Sequence, residues 1–375
     1  MKKFFMFAAM ASVALVSCVK NETAVSLNDN QAAIEFAAPV TSPSVKAATE
    51  IADDYPITEQ FAVWAYYAQD GVYDKYPADG GQTQEFMDMV PVGYVAEAAT
   101  WKPVGAKYYW PKNGSLTFAA YSPYTEPSNG TYDYLATGLD IKGYVVPKVS
   151  TDQKDLLFSE RKYNQTVKDM DNETETDPYK GVTLQFNHAL SSIVFKVAED
   201  AAYESQTPKT VITITSIDIL AVNSKGDFNQ GLTDGEAATT PAASAHFGWT
   251  NQSTLMDYNA FSGNQTLSTT PNYLASAKAD DKLAERKENT SDLILLPQTL
   301  STATEEAVLK ISYKINNQTT EVREVSTFKL SDITVGGKWY RGKRYTYNIT
   351  FHLDEITFEP KVTAWADVTE TVPTI

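Results

Sequence analysis

Apolar and polar positions alternate with period two along much of this chain, and a clear case sits at its middle, in Gly181–Val197. Val182, Leu184 and Phe186 alternate with Thr183 and Gln185. After Asn187–Ser192, Ile193, Phe195 and Val197 alternate with Val194 and Lys196. A two-residue repeat puts each set on one face of a sheet. The stretch therefore predicts two short strands around a break that carries His188, and it reads as the entry to a second β-domain. The repeat returns at Leu309, Ile311, Tyr313 and Ile315, turns at Asn316-Asn317, and comes back through Val322–Leu330 as a candidate hairpin. It is cleanest at Tyr345, Tyr347, Ile349, Phe351 and Leu353, followed by Ile356–Pro360 and Val362–Trp365.

Elsewhere the pattern is less regular. Phe61–Tyr67 is a short aromatic run that predicts a buried strand, whereas Tyr73–Val95 reads as loops with a short strand. Asn113-Gly114, between Tyr108–Trp110 and the alternating Leu116, Phe118 and Ala120, is a hairpin signal. Tyr144–Pro147 reads as an edge strand, since proline cannot donate to a ladder. Asp155–Ser159 forms a further piece. Val211–Leu220 predicts a buried strand or strand pair, and Lys225-Gly226-Asp227-Phe228 a turn after it. Asn229–Arg286 is expected to be loops with short edge strands, and Leu293–Leu296 a strand ended by Pro297. Near the amino terminus Ala33–Val40 is strand-like, with Ile34 and Phe36 on one face. The breaker cluster Thr41-Ser42-Pro43-Ser44 and then Lys46 and Ala47 follow it. A basic residue in an exposed loop is a place where a trypsin-like protease could cut.

Composition supports sheet over helix. The chain has 22 tyrosines and 16 phenylalanines in 375 residues, long helical apolar faces are scarce, and the length suits two domains. A net charge of −16 argues against nucleic acid and anionic membrane surfaces as partners, because phosphate contacts need a basic patch. Lys2 and Lys3, the apolar run Phe4–Val16, and Leu15-Val16-Ser17-Cys18 read as a bacterial lipoprotein signal, cut before Cys18 and acylated there. Cys18 is the only cysteine, so no intrachain disulfide competes for it. Residues 1–17 are therefore set aside as signal peptide, and the mature protein is expected on the outer membrane at the cell surface.

Catalytic chemistry finds little support. His188, His246 and His352 are far apart and none has metal-ligand spacing. No phosphate loop or hydrolase motif occurs. The acidic run Asp169–Asp177 fails the calcium-loop pattern, with Thr174 where glycine is required and Lys180 where glutamate is. No catalytic residue, metal site or cofactor is assigned, and His188 reads as structural. Trp64, Trp110 and Trp365 sit in strand contexts and read as core. Trp101, Trp249 and Trp339 lie nearer loops and are the open candidates for a sugar-binding surface. They define the competing reading, a monomeric outer-membrane lipoprotein that binds glycans.

The order of the pieces resembles the fimbrillin family of Bacteroidales, the Mfa-like and FimA-like type V pilins. The resemblance rests on the lipobox, on FAVWAYY, on KYYWPKNGSLTFAAYSPY (Lys107–Tyr124), on DLLFS (Asp155–Ser159), on VTLQFNHALSSIVFKV, and on KWYRGKRYTYNITFHLDEITFEPKVTAW (Lys338–Trp365). It implies an all-β chain of two β-sandwich domains with transthyretin-like Greek-key topology. Residues 18–46 would be a leader with a removable first strand, 47–178 the amino-terminal domain and 179–375 the carboxy-terminal domain. It also implies cleavage at Lys46–Ala47, where the best-known members have an arginine. Polymerisation would follow by donor-strand exchange with other fimbrial subunits, giving a fimbria that serves adhesion to a host or bacterial surface receptor. The donor strand would come from Val362–Ile375, with Val368 and Val372 on one face and Ile375 on the other.

Overall fold

The computed structural model describes residues 32–38, 55, 57–69, 83–98, 100–124, 130–135, 138–168, 181–230, 248–274, 293–302, 304–316, 320–352 and 355–364. The chain is all-β, as its composition predicts, with one short helix, α1 (Leu330–Ile333), among the described residues.

The first sheet has nine strands: β1 (Phe36–Ala37), β2 (Phe61–Ala68), β3 (Thr83–Val95), β4 (Thr100–Pro103), β5 (Ser115–Ser122), β8 (Leu157–Ser159), β9 (Lys162–Gln165), β10 (Val182–Thr183) and β11 (Phe186–His188). Their order is β10-β1-β4-β3-β2-β5-β8-β11, with β9 also on β5. The strands at the two ends of that path, β10 and β11, are joined in the chain by only Leu184 and Gln185. The sheet therefore wraps around an interior filled by Ile34, Phe36, Phe61, Phe118, Leu184 and Phe186. The opposite face of β2 and β5 is also buried. There Trp64 and Tyr121 enter a second and larger core. Burial on both faces is why FAVWAYY reads as a continuous apolar run rather than an alternation.

The second sheet runs β18-β17-β13-β7-β6, with β14 along the other side of β13. Its members are β6 (Thr131–Leu135), β7 (Gly138–Val145), β13 (Val211–Asn229), β14 (Trp249–Thr266), β17 (Val308–Asn316) and β18 (Glu321–Lys329). The third runs β15-β12-β19-β20, with β16 on β12. It is built from β12 (Ser191–Glu199), β15 (Asn272–Tyr273), β16 (Leu293–Leu295), β19 (Lys343–Phe351) and β20 (Ile356–Ala364). β12 and β19 are parallel, from Ser192↔Arg344 to Glu199↔Phe351. The hairpin β6–β7 leaves the chain between two strands of the first sheet, yet β7 pairs with β13. Tyr134 of that hairpin stacks on Trp64 at 5.3 Å. The two parts of the molecule thus share one core. Residues 182–188 hydrogen-bond into the first sheet and residues 191–199 into the third, so the mid-chain stretch links the two.

The hairpin expected at Asn316-Asn317 forms in full register, and β2, β16 and β19 fall where the pattern puts them. Five expectations need correction. Tyr73–Val95 holds a long strand, β3, because a bulge opposite β2 breaks its period. Buried Met87, Val90 and Val92 are unevenly spaced around Met89, whose φ is 47°. Asn113-Gly114 closes no hairpin: β5 pairs with β2, β8 and β9. Gly114 instead lies where a Cβ would come 2.3 Å from the Ala68 carbonyl oxygen. β7 is interior, between β6 and β13, and Pro147 lies past its end, so the ladder loses no donor. Lys225–Phe228 is no turn but part of β13. Gly226 is small there because a Cβ would approach the Trp249 ring at 3.2 Å. Within Asn229–Arg286 lies the eighteen-residue β14, held by its pairing along β13 and largely exposed on one side, so its sequence is polar.

Burial raises the pKa of seven described tyrosines above the ordinary 10.0. Tyr121 and Tyr347 are pushed up to about 12, and Tyr55, Tyr132, Tyr144, Tyr258 and Tyr345 are raised as well. Above about pH 10 the unfolded chain loses these protons and the native chain keeps them. The native state then binds more protons, so stability falls as pH rises. The expected outcome is a cooperative unfolding that begins above about pH 10, with tyrosinate absorbance rising in step with the loss of β-sheet circular dichroism. Tyrosines that all ionise before the sheet signal changes would contradict their burial.

Candidate functional site

The site with the most distinctive geometry is the seat of β1. Residues Ala32–Ala38 run as an extended segment between two other pieces of chain. On one side Ile34 N donates to Tyr108 O (2.9 Å), Trp110 N donates to Ala32 O (3.1 Å), and Phe36 sits opposite Trp101 of β4. On the other side Val182 N donates to Glu35 O (2.9 Å) and Leu184 N to Ala37 O (2.8 Å), as β10 runs parallel to β1. Tyr55 N donates to Ala38 O. The segment is therefore an interior strand, bonded along both edges, and not an appended one.

Its side chains alternate as the sequence predicts. Ile34, Phe36 and Ala38 are buried, and Phe36 packs edge-on against Phe118 at 5.4 Å and Phe61 at 6.4 Å. Burying an Ile or a Phe side chain is worth roughly 1.5–3 kcal/mol. Three contacts shape the rest of the seat, and none was legible in the sequence. Thr100 Oγ1 donates to Phe36 O at 3.2 Å. Lys102 Nζ lies 2.7 Å from Glu35 Oε1. Gly181, with φ +89°, lies where a Cβ would be 2.5 Å from Glu35 O. Tyr55 covers the end of the seat, its ring against Phe61, Trp101 and Phe186 and its hydroxyl 2.7 Å from Ser122 Oγ. The positive φ of Gly181 follows from this approach, and only its place directly before an alternating run hints at it.

Comparison with known proteins bears on this architecture. A family model described as fimbrillin-like matches residues 58–365. The chain belongs to the fimbrillin-like family. Its fold is similar to that of a fimbrial protein from Bacteroides vulgatus, with 17% identity, a TM-score of 0.55, and coverage of 89% of this chain and 100% of that one. A candidate cell adhesion protein from Bacteroides uniformis shows 15% identity and a TM-score of 0.49, covering 91% and 100%. The tip fimbrial protein Mfa3 from Porphyromonas gingivalis, with a C-terminal truncation, shows 10% identity and a TM-score of 0.35, covering 82% and 94%. No curated protein matches. The family match begins after β1, so the seated strand precedes the matched residues.

Other residues singled out from the sequence of this fimbrillin-like chain are scattered. Val362 lies in β20, opposite Tyr345, on the outermost strand of the third sheet. Cys18, Lys46, Ala47, Val368, Val372 and Ile375 lie outside the described residues, as do His246, Trp365 and the acidic run Asp169–Asp177. His188 is buried in β11, with Nδ1 2.7 Å from Asp155 Oδ2. His352, at the end of β19 in a different sheet, has Nδ1 2.8 Å from Asp200 Oδ2 and Nε2 2.9 Å from Thr357 Oγ1. Each histidine ties two segments together. Among the described residues no group of three or more His, Cys, Asp or Glu is placed to hold a metal ion.

The expectation of open tryptophans is overturned. Trp249 and Trp339 are 0% exposed and Trp101 is 7% exposed. Trp249 Nε1 donates to Ala189 O (2.7 Å), and Trp339 Nε1 to the Tyr347 hydroxyl (2.9 Å). An indole that satisfies its N–H inside a core has no face left for a sugar. Trp64 and Trp110 are buried, as expected.

Two substitutions test the seat. Gly181→Ala adds a Cβ against the β1 backbone at a left-handed φ, with an expected loss of about 3 kcal/mol. Phe36→Ala removes a fully buried side chain of β1, with an expected loss of about 3–5 kcal/mol. Denaturant unfolding followed by tryptophan fluorescence reads both. Wild-type midpoints would show that β1 is not part of the folded core.

Proposed function

We propose that this chain is a fimbrial subunit, exported as an outer-membrane lipoprotein through Cys18. Lys46–Ala47 is then cut, which frees the leader of residues 18–46. A strand of another subunit takes the vacated seat, and repetition builds a surface fimbria that serves adhesion. In this reading residues 47–178 and 179–375 are the two sandwich domains of the assembled subunit, with the hairpin β6–β7 and the strands β10 and β11 reaching across that boundary, and Val362–Ile375 supplies the donor. The observation that carries the reading is the seat of β1. Removing an interior strand strips partners from the amides of Trp110, Val182 and Leu184, and it opens the floor made by Phe61, Phe118 and Phe186. Buried amides demand partners, and an extended segment can satisfy two edges and an apolar floor at once. Membership of the fimbrillin-like family supports the fimbrial part of the reading. The competing glycan-binding reading loses its aromatic surface with the burial of Trp101, Trp249 and Trp339.

The test is limited digestion of the purified chain with a trypsin-like protease, followed by denaturing gels and electron microscopy. Wild type is expected to form a ladder of polymers after cleavage, and Lys46→Ala to remain monomeric. A chain that stays monomeric once residues 1–46 are gone, or that is never cut in cells, would overturn the mechanism.

A further inference from the structure

The seat of β1 reads charge as well as shape. Glu35 lies between the buried Ile34 and Phe36, and it meets Lys102 of β4 at 2.7 Å. The bound pattern is thus apolar, acidic, apolar. Both charged side chains keep a quarter to a third of their exposure. A pair that exposed adds little stability, but a wrong charge at the same place is repelled, which is how charged groups choose partners and fix register. Two other described contacts with the strand are neutral: the Thr100 hydroxyl on Phe36 O, and the Gly181 backbone against Glu35.

Residues 365–375 read Trp-Ala-Asp-Val-Thr-Glu-Thr-Val-Pro-Thr-Ile. A strand that fills the Ile34 and Phe36 positions needs two apolar side chains two residues apart. Within Val362–Ile375, Val362 with Ala364, Ala364 with Ala366, Ala366 with Val368, and Pro373 with Ile375 meet that need, and the first two enclose Thr363 and Trp365 rather than an acidic residue. Pro373 has no N–H to give to a ladder. The residue between Ala366 and Val368 is Asp367. The triplet repeats the pattern of Ile34-Glu35-Phe36, and it keeps that pattern whichever way the strand runs.

We propose that Asp367 of one copy takes the place of Glu35 on Lys102 of the next, with Ala366 and Val368 in the positions of Ile34 and Phe36. This rests on the donor-strand reading above and sets its register. Lys102 then selects the incoming strand as a specificity-determining residue, and a second copy of this chain is an acceptable donor.

The experiment compares polymer formation by the full chain and its variants after cleavage at Lys46. Asp367→Lys is expected to slow assembly about tenfold, since it sets like charges against each other. Lys102→Glu is expected to slow it similarly, and the double variant Lys102→Glu with Asp367→Lys to restore it. Wild type that polymerises while Asp367→Lys keeps pace with it would overturn this register and leave donor-strand assembly standing. Wild type that fails to polymerise would overturn both. Circular dichroism checks folding of the position-102 variants. If Lys102→Glu does not fold, Lys102→Gln replaces it and is expected to make assembly insensitive to the charge at position 367. A persisting effect of Asp367→Lys in that background would overturn the pairing.

Discussion

A strand buried in a sheet must satisfy its backbone on both edges, and the first sheet depends on one very short strand for this. β1 is flanked by β4 and Tyr108–Trp110 on one side and by β10 on the other. These flanking pieces come from distant parts of the chain, and β1 pairs with both. The path β10-β1-β4 is what brings the chain at Gly181 back beside the chain at Trp101. Without β1 the wrapped sheet has a slot with amides facing it and an aromatic floor below. Water can solvate the amides but not the floor, so the slot favours another extended segment over remaining empty.

The second constraint is that the first sheet cannot move independently of the rest. Its β2 and β5 bury both faces, one on the interior that holds Phe36 and the other on the core shared with the second and third sheets. The hairpin β6–β7 adds backbone pairing, from Lys225↔Val145 to Asn229↔Asp140. The aromatic contacts Trp64–Tyr134 and Tyr121–Tyr132 pack across the same junction. Load entering at the seat of β1 would pass into the second sheet through strand pairing and close-packed rings, both short-range and stiff. That continuity suits a subunit proposed to work in line within a fimbria.

Legibility in the sequence followed solvation. β17 and β19 each have one more deeply buried face, so their alternation survives in the residues, whereas β18 is largely exposed and is readable only as the partner of β17 across the turn. β2 and β5 are buried on both faces: β2 reads as an apolar run, clear as a strand but silent about which residue faces which core, whereas β5 keeps the alternation of Leu116, Phe118 and Ala120, all of which enter the interior of the first sheet. β3 and β13 carry bulges that shift the period, and β14 is polar because pairing along β13 holds it in place of burial. The leader strand was readable, since Ile34 and Phe36 alternate in isolation. Its seat was not. Lys102, Thr100, Gly181 and Tyr55 are ordinary residues until the fold sets them beside residues 35–38. The tryptophans misled for the same reason: proximity to a turn in sequence says little about exposure when the turn folds over a core, as at Trp249 and Trp339.

The position of Lys46 relative to β1 bears on how exchange could begin. Among the described residues, the backbone bonds of the segment that holds β1 end at Ala38. What the proposed cut would remove is the tether. While the leader is covalently attached its effective concentration at the seat is on the order of millimolar, and a competing strand at cellular concentration is excluded. Once the chain is cut, a leader that dissociates is diluted, and the seat goes to whichever extended segment is held nearby. If the chain is cut at Lys46 as proposed, the cut would act on the kinetics of return rather than on the affinity of the seat. In the proposed reading the apolar positions of Ile34 and Phe36 would set how tightly a strand is held, and the charge of Lys102 would set which strand it is.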